Sequence, residues 1–274
     1  MKTVAYADRP NRMLQVYAVV FMVFLYGPIL IIPLFSFVNS LYVRFPIESF
    51  TFRWYGELWH REPVIHALQN SLYVALIVAV VSTIIGVFAA KTIARNRIPG
   101  TSAIVTFMML PLVVPGIIFA VAILIVLKRM GIALSLYTVM AGHIVVCLPF
   151  AIWSLLPRFE GFDPSMEEAS GDLGENGWWT FWRVTFPIMA PGIVASLLMT
   201  FTVSFDEFVM AFFLSGSEAT LPMFVWGQLR FPTQFPSILA LSTLILLASF
   251  ATVFLSLWIG RIGLPKPAKG VPSK

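Results

Sequence analysis

Long runs of apolar residues, uninterrupted by charge, recur along the chain at roughly 14–38, 67–90, 103–127, 136–156, 190–214 and 237–260. A helix that crosses a bilayer needs about 20 predominantly apolar residues, and each run is long enough. None alternates apolar with polar in the ten-residue segments of a membrane barrel. The pattern predicts an all-α, polytopic membrane protein of six transmembrane helices, forming one domain over 1–274 with no soluble part beyond its loops. All 18 Lys and Arg fall outside the six windows. A soluble protein scatters its basic residues through amphipathic helices; here they are confined to loops and tails.

Composition agrees. Hydrophobic residues make up 59% and charged residues 11% of 274, against roughly a quarter charged in soluble domains. An ordinary cytosolic globule, a disordered chain and a collagen are excluded. One cysteine, Cys147, excludes a disulfide scaffold and reads as a small buried hydrophobe. The net charge of +5 speaks to topology rather than to nucleic acid. The first apolar run is longer than a signal peptide's core and lacks an A-x-A-like site; it reads as an uncleaved anchor.

Orientation follows from where Lys and Arg lie. With the N-terminus inside, twelve are cytoplasmic: Lys2, Arg9, Arg12, Lys91, Arg95, Arg97, Arg158, Arg183, Arg261, Lys266, Lys269 and Lys274. Six are outside: Arg44, Arg53, Arg61, Lys128, Arg129 and Arg230. Both termini are therefore expected in the cytoplasm. The outer loop 39–66 is long and aromatic (Phe50, Phe52, Trp54, Tyr55, Trp59), as in an interfacial belt or a short helix lying on the membrane; a docking surface for an outside partner is the alternative. Prolines 28, 33, 111, 115, 149 and 191 fall within spans and free backbone groups that neighbouring helices or cavity water must satisfy.

No catalytic constellation stands out. His60, His66 and His143 form no H-E-x-x-H, and no paired cysteines exist for zinc. His143 reads as a hydrogen-bonded interior residue. Lys91-Thr92 is not a phosphate loop, because Ala90 stands where the glycine must be. The chain is expected to bind no cofactor; if ATP drives it, the ATPase is a separate polypeptide.

The inner loop 157–189 carries six carboxylates, Glu160, Asp163, Glu167, Glu168, Asp172 and Glu175, against Arg158 and Arg183. Pro164 can start a helix with Glu167 and Glu168 in its first turn, where the dipole favours acids. Gly171, Gly174 and Gly177 then supply a turn, and the amphipathic Trp178–Phe186 segment leads through Pro187 into the fifth span. The expected product is a compact cytoplasmic knob.

These residues resemble the cytoplasmic signature of bacterial ABC importer permeases: E-A-A, three residues, G, nine residues, I-x-L-P. The equivalents are Glu168-Ala169-Ser170, Gly174 and Val184-Thr185-Phe186-Pro187, with Ser170, Val184 and Phe186 as departures. Asn70-Ser71-Leu72, Pro111, Pro115, Ser204–Phe208, Leu221-Pro222 and Trp54-Tyr55 are similar to the spermidine/putrescine branch, in particular its second, C-type, permease. The resemblance implies the type I, MetI-like permease fold in a bacterial inner membrane. It also implies alternating access, with Glu167, Glu168, Ala169, Ser170, Gly174 and Pro187 in the element that couples to the ATPase. The implied partners are a pair of ATP-binding subunits, a second permease and a periplasmic solute-binding protein. The implied cargo is a polyamine or another small nitrogenous solute.

Of 13 carboxylates, Asp206 and Glu207 alone fall within a predicted span. Each costs a few kcal/mol at the bilayer centre, which makes a functional role the default. They read as a cation-attracting wall of the pathway, or as a pair hydrogen-bonded to neighbouring Ser and Thr that holds the bundle together. Trp226, Tyr137 and Trp153 can supply cation–π contacts to an amine or simply pack. A secondary transporter, with sites on broken helices near the midplane, and a membrane-embedded enzyme are the rival classes.

Overall fold

The computed structural model describes residues 12–42, 45–95 and 99–261. Lys2, Arg9, Arg44, Arg97, Lys266, Lys269 and Lys274, on which the orientation count draws, lie outside them, as do both chain ends. Among the described residues every regular element is a helix, apart from one isolated antiparallel bridge between Val38 and Phe50. They fall into two compact units. One takes in the chain up to Arg61 and Gly227–Leu246; the other takes in Glu62–Trp226 and the chain from Leu247.

In the first unit, α1 (Arg12–Ser36) buries only Phe35 and Ser36. Its remaining apolar surface suits a bilayer. The 39–66 loop, where a short helix was expected, forms α2 (Arg53–Leu58). Its aromatic residues divide into two sets. Trp54 is buried and donates its indole N–H to the Val38 carbonyl at 2.9 Å, and the Tyr55 hydroxyl bonds Ser36 Oγ at 2.6 Å, whereas Phe50, Phe52 and Trp59 stay exposed.

The second unit is built on α3 (Glu62–Arg95), α6 (Leu136–Glu160) and the long helix ending at Asp206, in which a π-turn at Phe181–Thr185 joins α8 (Gly177–Thr180) to α9 (Phe186–Asp206). Between them lie α4 (Thr101–Val113), α5 (Gly116–Arg129) and α7 (Ser165–Asp172); beyond them come α10 (Val209–Leu214) and α11 (Leu221–Gln228). Helix α12 (Phe235–Gly260) follows the 3-10 turn Pro232–Gln234 and belongs to the first unit up to Leu246 and to the second from Leu247. Small residues let the helices approach closely, as they must where lipid offers no hydrophobic drive. A methyl group on Gly86 would stand 2.7 Å from Ala151 Cβ. At the end of α3 nearer Arg95, Val87, Ala90, Leu155, Phe159, Phe162 and Met189 form the core; toward its other end Val74, Val78, Val139, Met140, Met210 and Leu214 do.

Among the described residues five helices are long and apolar enough to cross a membrane, and α4 with α5 makes a sixth if that bent pair is one span. The third run, expected at 103–127 with Pro111 and Pro115 inside it, is this bent pair. Pro115 has no N–H and drives Val114 to extended dihedrals, and α5 leaves α4 at 101°. The fifth run is also not one helix. It begins inward of 190, at Gly177, and breaks after Asp206, where Glu207 is extended.

Candidate functional site

The inner loop folds as a helix, a glycine turn and a second helix. Pro164 occupies the N-cap of α7, with Glu167 and Glu168 in the first turn. Gly171 falls within α7, not in the turn where the sequence reading placed it. Gly174 makes the turn: its φ of +90° lies in the region a side chain disfavours. No atom lies within 4 Å of where its Cβ would be, so the chain itself leaves this face open. The Asn176 side chain then accepts the Trp179 N–H at 3.0 Å and starts α8.

Two adjacent acids on α7 have different surroundings. Glu168 is exposed, as is Ala169. Glu167 turns inward: Lys91 Nζ lies 2.8 Å from one carboxylate oxygen, Arg95 Nε 3.5 Å from the other, and Thr185 donates its hydroxyl. Burial raises the pKa of Glu167, but the bonds from Lys91 and Thr185 and the charges of Lys91 and Arg95 outweigh it, and the carboxyl sits below its ordinary range. Asp163, fully exposed, is also lowered, by the backbone and hydroxyl of Ser165 and more weakly by Arg95. Ser170 is buried against Thr180 at 3.0 Å, and Pro187 lies in the first turn of α9. The knob therefore presents Glu168, Ala169, Leu173 and Gly174 outward, while Glu167 and Ser170 hold it together.

Asp206 and Glu207 occupy the break between α9 and α10, and their carboxylates diverge. One Glu207 oxygen accepts the backbone N–H groups of Val209 at 2.8 Å and Met210 at 3.1 Å, capping the short α10. Asp206 is exposed and accepts the Ser249 hydroxyl on both oxygens, at 3.1 and 2.9 Å. Neither carboxylate has a Lys or Arg among its ion pairs in the described residues. His143 is 1% exposed and bonds Ser204 at 2.9 Å through Nδ1.

The three candidate aromatics are not brought together. Trp226 stacks near Phe208, with ring centroids 5.4 Å apart, one residue from Glu207. Tyr137 and Trp153, each 71% exposed, stand sixteen residues apart on α6, about 24 Å along the axis. Only Trp226 shares the neighbourhood of the helix break.

Sequence reasoning missed Lys91, Arg95 and Thr185 as partners of the knob, and Ser249 as the partner of Asp206. In the sequence Lys91 counts toward the orientation and fails as a phosphate-loop lysine, but is given no partner. The signal that finds it is charge balance: six acids in one inner loop require cations, and the inner end of the second span supplies two.

Residues 82–263 match the family described as binding-protein-dependent transport system inner membrane component. The chain is 31% identical over 241 residues to the spermidine/putrescine transport system permease protein PotC of Escherichia coli (strain K12), covering 87% of this chain and 90% of that one. It is 33% identical over 231 residues to the putrescine transport system permease protein PotI of the same strain, covering 81% and 82%. Among solved structures, a chain of a bacterial ABC transporter involved in the import of alginate superposes with a TM-score of 0.65 at 17% identity, covering 93% of this chain and 99% of that one. A chain of the MetNI methionine ABC transporter superposes at 0.56, covering 75% and 100%. These last two show the shared fold.

Proposed function

We propose, from the premise that this chain belongs to the family of binding-protein-dependent transport system inner membrane components, that it carries a polyamine such as spermidine or putrescine through its half of an ABC importer. The observation that carries the cargo reading is Asp206. It is an exposed carboxylate at a break in a membrane-crossing helix, held by one serine and by no cation among the described residues. A charge at that depth costs several kcal/mol against lipid, which favours a pathway-facing position over a lipid-facing one. A dicationic or tricationic amine offsets the cost through charge-assisted hydrogen bonds. The names of the Escherichia coli relatives point the same way.

In this reading the knob seats on a separate ATPase, one of a pair that binds ATP and Mg²⁺, and this chain holds no cofactor of its own. A second permease completes the pathway and a periplasmic binding protein delivers cargo. Closure of the ATPase pair displaces the knob and opens the pathway outward. Both termini are cytoplasmic, on the basis of the twelve-to-six count of basic residues.

Co-expression with the ATPase, the sister permease and the binding protein tests both halves. Gly174→Trp and Glu168→Lys, on the open face of the knob, should remove the ATPase from the purified complex while the chain stays in the membrane. Wild-type vesicles should take up labelled putrescine or spermidine. Uptake of an amino-acid derivative with no uptake of either amine overturns the cargo. Retention of a fully stimulated ATPase by both variants overturns the coupling role. With Cys147→Ser, cysteines at Ser49 and Ser217 should label from outside with an impermeant maleimide and one at Leu173 should not; the reverse pattern inverts the topology.

A further inference from the structure

Helix α3 is fastened at each end to a different loop, and the two fastenings lie on opposite sides of the hydrophobic run it contains. At the inner end, groups before, within and after the knob converge on its last turn. Arg95 donates to the Phe162 carbonyl at 3.0 Å and lies over the Phe162 ring at 5.0 Å. Glu167 takes both cations. Lys91 also stands over the Phe181 ring at 5.4 Å, and Thr185 closes the set through Glu167. Attachment at several points fixes orientation as well as distance. The charges are also sheltered, Glu167 being 19% and Arg95 18% exposed, so water screens them less than a surface pair.

At the outer end the Asn70 amide donates to the Glu218 carboxylate at 3.3 Å and to the Ala219 carbonyl at 3.0 Å. The Ser71 hydroxyl accepts the Leu221 N–H at 2.7 Å. Three hydrogen bonds thus tie residues 218–221 to the outer part of α3. From Asn70 to Lys91 the helix rises about 30 Å, with no proline between Ile65 and Arg95. The pair α4–α5 and the pair α9–α10 are broken in the corresponding stretch.

We infer that Lys91 and Arg95 are positioning residues, which lock the knob to α3 so that its displacement is delivered along an unbroken helix to the 218–221 loop on the opposite side. The inference rests on the reading above that the knob seats on an ATPase. A helix shift of 1–2 Å is an ordinary allosteric displacement, and a broken helix dissipates it where a continuous one does not. The outer clasp then changes the exposure of the segment around Ser217 when nucleotide binds.

The test uses the assembled importer with Cys147→Ser and Ser217→Cys, the reporter cysteine standing exposed beside the clasp. The measurement is the rate of maleimide labelling with and without ATP and vanadate. Nucleotide should change that rate several-fold in the parent. Lys91→Met with Arg95→Met should reduce the change at least fivefold while the ATPase still co-purifies. The exchanged pair Lys91→Glu with Glu167→Lys, and the conservative Lys91→Arg, should restore at least half of it. Asn70→Ala with Ser71→Ala should abolish it from the other end without touching the knob. An undiminished change in the Met variant, or an equal loss in Lys91→Arg, overturns the inference. Failure of the ATPase to co-purify with the parent overturns the proposed docking of the knob, and this inference with it. If the Met variant does not assemble, the exchanged pair and the outer-end variant decide, and normal signalling without the outer clasp overturns it.

Discussion

Glu167 and Asp206 are both carboxylates set against a membrane helix, and the chain treats them in opposite ways. Glu167 meets two cations and a hydroxyl from its own chain. Asp206 meets one hydroxyl, and its neighbour Glu207 meets two backbone N–H groups. The first arrangement supplies its carboxylate with counter-charge: removing Glu167 leaves two sheltered cations without an anion. The second is satisfied in hydrogen bonds and open in charge. A structural site tends toward the first state and a site that exchanges a charged guest toward the second, because a guest cation competes poorly with a resident lysine. On the proposed reading, the closed arrangement serves anchoring and the open one at the break serves passage of a cation.

That contrast is broken most readily at the inner site. Glu167→Ala leaves Lys91 and Arg95 facing each other with no anion between them. Loss of one partner from a fully buried pair costs 3–5 kcal/mol; with roughly a quarter of each side chain in contact with solvent, about 2 kcal/mol is expected. Unfolding of the purified chain in mixed micelles measures it. Glu167→Ala should be clearly less stable, and Lys91→Met with Glu167→Met should recover most of the loss. Equal stability of wild type and Glu167→Ala would reduce the network to a surface contact.

Asp206→Asn with Glu207→Gln should show the inverse profile. Asparagine keeps an oxygen for Ser249 and glutamine keeps one for the Val209 and Met210 N–H groups, so stability should change by less than about 1 kcal/mol. Polyamine uptake should fall roughly tenfold, the equivalent of about 1.4 kcal/mol. A large stability loss with unchanged uptake per assembled complex would move the break into the anchoring class and remove the main support for a cationic cargo.

How much of this contrast was legible in the sequence follows from the range of the forces involved. The spans were visible because hydropathy is local and a bilayer fixes its length scale. The knob was visible because proline, two acids and a left-handed glycine are consecutive signals. The bend at Pro115 had a local cause, yet the continuous apolar run concealed it. The break after Asp206 was hidden for another reason. Its acids were noticed, but nothing in a linear reading tells that Glu207 folds back on the next two N–H groups. The partners were hardest to see. Lys91 and Glu167 are 76 residues apart and Asp206 and Ser249 are 43 apart, and only the folding of α7 against α3 and of α12 against α9 makes them neighbours. Tyr137 and Trp153 show the converse, because residue type allowed either a cation–π role or packing, and only their positions on α6 show that they stand apart.

A smaller effect follows from acidity. The folded Glu167 pKa lies below its unfolded value, so its stabilisation is complete above about pH 4.5 and fades as pH falls through the folded value. Between pH 7 and 5 the knob should hold equally well. Amide exchange within 165–185 should accelerate only below about pH 4. Glu167→Gln should lose that dependence, leaving the exposed Asp163 to account for any remainder. Loosening of the wild-type knob already at pH 6 would contradict the sheltered ion pair.

The finest separation of the two sites comes from Ser249, which is the hydroxyl donor to both oxygens of Asp206. The bond does two things: it orients the carboxylate, and it draws off part of the charge that a cargo cation would otherwise meet. Loss of orientation weakens cargo binding, whereas the restored charge strengthens it. A single neutral hydroxyl is worth about 1 kcal/mol net, so the two effects largely cancel. Ser249→Ala should raise the KM for polyamine by two- to threefold with little change in maximal rate. The decisive measurement is the double variant. If Ser249 acts on transport through Asp206, then once Asp206 is asparagine there is no charge left to orient, and Ser249→Ala should add less than about 0.3 kcal/mol to the loss already present. If Ser249 instead acts by packing α12 on α9, the two losses should add in full and should appear equally in stability. Additive behaviour would make Asp206 a bundle residue like Glu167, and the opposition between an anchored and an open carboxylate would no longer describe this protein.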